Sequence, residues 1–93
     1  MAGLEQESIV TQFTVFPNPT SGKVKIQYTL KENSKISVEI NDINGKMVTS
    51  MTLGEVSSGE HLIESDLSSE SAGIYFVKLK TNQGYKILKI IRK

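Results

Sequence analysis

Lys23-Val24-Lys25-Ile26-Gln27-Tyr28-Thr29-Leu30 is the stretch whose reading decides the fold. Val24, Ile26, Tyr28 and Leu30 alternate strictly with Lys23, Lys25, Gln27 and Thr29. A period of two gives one apolar face and one solvated face, which is the pattern of a half-buried strand. Ile36, Val38 and Ile40 repeat it against Ser37, Glu39 and Asn41. Tyr75, Val77 and Leu79 repeat it again, with Lys78 and Lys80 facing out. Burying each such large side chain stabilises the fold by about 1.5–3 kcal/mol. A slip of one residue would turn the whole set outward, so the pattern also specifies the register.

Turn chemistry separates the strands. Asn18-Pro19-Thr20-Ser21-Gly22 reads as a turn, because Pro presets φ and Gly accepts φ > 0. Lys31 to Lys35 form a polar hairpin loop, and Asn44-Gly45 signals a tight type I′ hairpin. Ser57-Ser58-Gly59 and Asn82-Gln83-Gly84 punctuate the later strands. Strands are therefore expected near 12–16, 23–30, 35–41, 47–53, 60–65, 73–81 and 85–91. Residues 64–72 read as a crossover loop, since their small and β-favouring residues disfavour a helix. The expected fold is all-β: an immunoglobulin-like antiparallel β-sandwich of about seven strands. A Greek-key barrel is the other arrangement. Residues 1–12 read as a linker or lead-in, with Met1-Ala2-Gly3 as a cloning remnant, and residues 13–93 as the domain. Leu67, Gly73 and Tyr75 have the look of a sandwich corner in which a Tyr hydroxyl bonds upstream backbone.

The chain has 93 residues, 38% of them hydrophobic and 23% charged, which leaves room for one small soluble-type domain. There is no Cys, which excludes disulfides, thiolate metal sites and a cysteine nucleophile. One His excludes multi-histidine metal centres. No apolar run approaches the roughly 20 residues of a spanning helix. A net charge of +1 argues against nucleic acid as a partner. Met1 to Glu7 carries neither a basic nor an apolar signal-peptide region. A protein acting outside the cytoplasm would then have this chain as part of a longer precursor.

That net charge conceals segregation. Residues 47–77 hold Glu55, Glu60, Glu64, Asp66 and Glu70 but no Lys or Arg. Residues 78–93 hold Lys78, Lys80, Lys86, Lys89, Arg92 and Lys93 but no acid. Lys on an exposed strand guards against edge aggregation, while a basic end equally suits an acidic partner or an anionic headgroup. The last segment, Tyr85 to Lys93, is apolar on both faces. It suits either core packing or an outer face that meets a second surface, including strand addition or self-association between copies.

Catalytic and ligand-binding patterns are thin. His61 with Asp66 and Ser65 or Ser68 has the composition of a hydrolase triad, but no nucleophile elbow or oxyanion-hole motif accompanies it. Asp42-Ile43-Asn44-Gly45 echoes part of a calcium loop without its distal bidentate Glu, and a tight hairpin explains it better. A sugar platform would rest on Tyr85 and Phe76 alone, with no Trp. The expectation is no enzyme, no metal and no cofactor.

Three pieces then occur in a recognisable order. Phe16-Pro17-Asn18-Pro19-Thr20-Ser21-Gly22 leads into the first alternating strand. Val38 to Val48 carries the hairpin Asp42-Ile43-Asn44-Gly45-Lys46. Leu67, then Ala72-Gly73-Ile74-Tyr75-Phe76-Val77, precede a Lys-bearing final strand. Together they resemble the C-terminal sorting domain of proteins exported by the Bacteroidetes type IX secretion system, type A (the Por secretion system), over about residues 13–93. The resemblance implies an immunoglobulin-like, non-catalytic address at the end of a secreted precursor. It implies as partners the outer-membrane translocon and its shuttle proteins, an N-terminal cargo domain, and a sortase-like cell-surface protease. It implies transit through the periplasm, then the outer membrane, cell surface or medium, with cleavage within residues 1–12 and attachment to anionic lipopolysaccharide. The motif residues by position are Pro17, Asn18, Pro19, Gly22, Asp42, Gly45, Lys46, Gly73 and Tyr75. The expected recognition residues are Lys86, Lys89, Ile90, Ile91, Arg92 and Lys93, gripped through backbone pairing along the strand edge and through the basic side chains. The chain stops just after its last strand, as a terminal address would. The competing readings are a fibronectin-like structural or adhesive spacer and a carbohydrate-binding module.

Overall fold

The computed structural model describes residues 8–93. The cloning remnant and most of the lead-in expected over residues 1–12 lie outside the described residues. Seven antiparallel strands form two sheets: β1 (Val10–Phe16), β2 (Lys23–Leu30), β3 (Ser34–Asp42), β4 (Met47–Val56), β5 (Gly59–Asp66), β6 (Gly73–Thr81) and β7 (Gly84–Arg92). One sheet has the order β1-β2-β5 and the other β4-β3-β6-β7. This is an immunoglobulin-like sandwich in which the fourth strand joins β3 rather than β5.

The alternating stretches place the core. Val24, Ile26, Tyr28 and Leu30 from one sheet meet Ile36, Val38, Ile40, Val77, Leu79 and Ile90 from the other, all of them buried. Phe13, Val15, Val48, Leu53, Val56 and Ile63 pack around this centre, half-buried. Leu67 is fully buried in the crossing from β5 to β6. The Tyr75 hydroxyl donates to the Ser71 carbonyl at 2.6 Å, which is the expected corner.

β4 runs on to Val56, past its expected end at residue 53, and two further elements differ from the expectation. β1 starts at Val10, and Ile9 and Val10 are core residues rather than lead-in. The reason is a bulge: Val10 pairs with Leu30 and Gln12 with Thr29, so Thr11 is the extra residue. A strict period of two counted back from Phe13 turns Val10 outward; the bulge turns it in. The second difference is the Asn44-Gly45 hairpin. Asn44 has negative φ, so the turn is not type I′. Gly45 N donates to the Asp42 carbonyl at 3.0 Å, and Asp42 N to the Lys46 carbonyl at 2.9 Å. Gly45 alone takes φ +86°. This is a three-residue loop with a left-handed glycine closing it. Asp42 selects it, because its Oδ1 accepts from both Asn44 N and Lys46 N at 2.9 Å.

Candidate docking surface around the C-terminal strand

The registers bring the sequence motifs together. Lys23 faces Asp66, Asp42 faces Tyr75, and Gly73 faces Arg92. Pro17 to Gly22, the Asp42–Lys46 hairpin, the Leu67–Tyr75 corner and Ile90 to Lys93 therefore share one end of the sandwich. Lys86 lies toward the other end, beside Leu79.

At the motif end the chain is interlocked. β7 pairs with β6 on one side, and its other side is an edge. Asn18 covers part of that edge in the manner of a neighbouring strand. Its Nδ2 donates to the Lys89 carbonyl at 3.0 Å, and its Oδ1 accepts from Ile91 N at 2.9 Å. Thr20 continues the cover: its N donates to the Ile91 carbonyl and its carbonyl accepts from Lys93 N, both at 2.8 Å. Thr20 is itself buried, with Oγ1 donating to the Lys23 carbonyl and accepting from Gly22 N. The Phe16-Pro17 and Asn18-Pro19 peptide bonds are both cis.

Gly22 is required by its surroundings. A Cβ there would stand 2.3 Å from Ser68 Oγ and 3.2 Å from Ser68 Cα, and φ is +156°. Leu67 N also donates to the Gly22 carbonyl at 2.9 Å. Arg92 clamps the same corner from the other side. Its Nε donates to the Leu67 carbonyl and its Nη2 to the Ser68 carbonyl, each at 3.0 Å, while Nη1 bonds the Lys93 carbonyl. Ser68 Oγ and N both donate to Asp66 Oδ1. Those two bonds hold the Asp66 carboxyl below the usual carboxylate range, with Lys23 and Arg92 adding to the effect.

The expected recognition residues thus divide. Ile90 is fully buried in the core. The Arg92 guanidinium is turned onto the corner backbone. Neither is presented outward in the folded domain. Backbone pairing along the edge from Lys89 to Lys93 is already taken by Asn18 and Thr20. Lys86, Lys89, Ile91 and Lys93 are exposed. Ladder alternation turns the backbone groups of Tyr85 and Ile87 toward the open edge, where no described residue pairs with them. A cavity of about 170 Å³ adjoins this stretch, lined by Ser8, Ile9, Val10, Thr81, Gln83, Gly84, Tyr85 and Lys86.

The remaining candidates have local explanations. His61 stacks on Tyr28 with ring centroids 5.4 Å apart, and its Nε2 bonds the Ser57 carbonyl at 2.7 Å. Asp66 is engaged by Ser68 and Lys23 rather than by His61. The Asp42 oxygen that would bind calcium caps its own turn. Tyr85, the candidate sugar platform, lies 4.3 Å beneath the Lys78 ammonium.

The arrangement joins sheets, corner and final strand into one shaped surface with a basic margin. The family model of the secretion system C-terminal sorting domain matches residues 14–93. The chain belongs to that family, the sorting domains of type IX secretion. Its role is that of a sorting signal, which implies engagement of the type IX machinery by a cargo precursor and secretion to the cell surface or beyond. Comparison with curated proteins returned no match. Sequence reasoning missed Asn18 as a strand mimic and Arg92 as a clamp. A polar residue in a Pro-flanked turn and a cation near the chain end carry no local mark of partners about 70 and 25 residues away.

Proposed function

We propose that this sandwich is the non-catalytic address of a secreted precursor. A Sec signal delivers the precursor to the periplasm. The outer-membrane translocon and its shuttle proteins then recognise the folded domain and pass the N-terminal cargo across. A sortase-like protease cleaves in the part of residues 1–12 that precedes β1 and joins the cargo to anionic lipopolysaccharide at the cell surface. The domain contributes shape and charge to this sequence and no reacting group. The observation that carries the reading is the family match, which runs from within β1 to Lys93 and so describes the sandwich itself.

The test is a fusion of the whole chain behind a periplasmic reporter in a bacterium with a type IX system. The fusion keeps Ile9 and Val10, because both are core residues. The reporter is expected at the surface or in the medium. Retention of a folded fusion in the periplasm overturns the reading.

A further inference from the structure

The outward face of the four-stranded sheet is not uniform. On β3 the outward residues are Ser37, Glu39 and Asn41, as a solvated face requires. On β6 and β7 they are not. The register sets Lys80 beside Tyr85, Lys78 beside Ile87, and Phe76 beside Lys89. The row ends with Ile74 beside Ile91. Ile87, Ile91 and Tyr85 are 48%, 41% and 59% exposed.

Edge protection does not account for this. It explains a Lys on β7, but β6 lies between β3 and β7 and has no free edge. A solvated interior strand places polar residues outward, whereas Ile74 and Phe76 occupy two of its outward positions. The charges are also one-sided. Glu39 meets Lys80 at 3.3 Å. Glu39 also stands opposite Lys78 in the β3–β6 register, and the Lys78 ammonium sits over the Tyr85 ring, so this one carboxylate adjoins a patch that holds Lys78, Lys80 and Lys89. A patch that interleaves apolar side chains with an excess of cations complements an apolar centre rimmed by carboxylates.

We propose that the outer face of β6 and β7 docks a protein surface of that chemistry, acidic around an apolar patch. This rests on the sorting reading and says which face of the domain is read. A second copy of the chain is a poor occupant: Leu62 between Glu60 and Glu64 on β5 offers one exposed apolar residue, with Glu64 opposite Lys25 and only Glu60, opposite Thr29, without a cation across the ladder. A membrane is also poorly matched. Ile74 and Phe76 are half-buried in the sheet surface, which leaves only Tyr85, Ile87 and Ile91 exposed on the patch, spaced between lysines rather than gathered into one apolar stripe. The contact is made by side chains standing off the sheet, since Asn18 and Thr20 occupy the edge from Lys89 to Lys93.

The test uses the same reporter fusion. Lys78→Glu/Lys89→Glu and, separately, Ile87→Ser/Ile91→Ser are each expected to lower surface delivery about tenfold or more, because a docking patch loses central contacts. Melting midpoints must stay near the parent value, which separates lost docking from lost folding. Lys78→Arg/Lys89→Arg is expected to retain delivery, as charge is kept. Leu62→Ser/Lys25→Glu on the opposite sheet is expected to leave it unchanged. Delivery of both face variants at the parent level overturns the proposal. So does binding of the parent chain to phosphatidylglycerol vesicles that the charge-reversed pair abolishes, which would assign the face to a lipid surface. If the parent fusion itself stays in the periplasm, the sorting reading fails and the docking face falls with it. Export of the parent with undiminished face variants fails the docking face alone.

Discussion

The two halves of β7 look alike in sequence and are built for different work. From Lys89 to Lys93 the backbone edge is sealed: Ile90 fills the core, Asn18 and Thr20 line the edge, and Arg92 grips the corner, while Lys89 and Ile91 still face outward from the sheet. From Gly84 to Leu88 it is open, with Lys86 and Ile87 exposed and the outward backbone free of described partners. Position along a strand is therefore a poor guide to what a receptor can touch. Basic and apolar residues near the chain end divide into those that hold the domain together and those that display it.

Removing Ile90 to Lys93 gives the largest expected effect. It deletes a buried Ile worth about 1.5–3 kcal/mol, the Arg92 clamp and both Thr20 backbone bonds. A domain of this size has only about 5–15 kcal/mol in hand. The truncated chain should lose its cooperative melting transition. A folded truncation would break the comparison, and an export defect measured on such a truncation reports folding as much as recognition. Next is Asn18→Ala, which leaves the Lys89 carbonyl and the Ile91 amide without their partner. Two lost hydrogen bonds predict about 1–3 kcal/mol, read in a denaturant midpoint. Lys86→Ala in the open half should stay within about 0.5 kcal/mol. Equal effects at the two positions would erase the distinction.

Tyr75→Phe removes only the bond to the Ser71 carbonyl and should cost roughly 1 kcal/mol while leaving the fold intact. An unchanged melting midpoint would show that the corner is held without it. The smallest effect is pH-linked. The Asp66 carboxyl is held below its ordinary range in the folded state, so folding favours its ionised form. That contribution is present above the ordinary carboxylate pKa and is lost as pH falls toward the depressed folded value. Asp66→Asn should flatten this part of the stability–pH profile below the ordinary carboxylate range. An unaltered acid profile would place the acid sensitivity elsewhere.

What was legible in the sequence follows from range. β2, β3 and β6 announce themselves through uninterrupted alternation, and their inward residues are the core. Tyr75 is legible because its partner is four residues away. β1 was partly hidden because Thr11 is a bulge, and one inserted residue inverts every inference drawn from parity. β4 was blurred for the same reason, with register shifts opposite Ile36/Ser37 and Ile40/Asn41. The residues of the hairpin at Asp42 mark a tight turn but not its type, since a left-handed glycine serves both geometries. For the candidate surface, the exposed lysines were visible as a charge run. The pairing of Lys78 with Ile87 and of Phe76 with Lys89 needed the β6–β7 register, and the enclosure of Ile90 and Arg92 needed contacts with distant segments.

Asn18 reaching across to Lys89 and Ile91 ties the first turn of the domain to its last strand. The first turn is therefore held in place by residues Lys89 to Lys93. A product broken off before Ile90 keeps most of the strands yet lacks the piece that seals them. A break at that point therefore removes the seal of the sandwich as well as part of one strand.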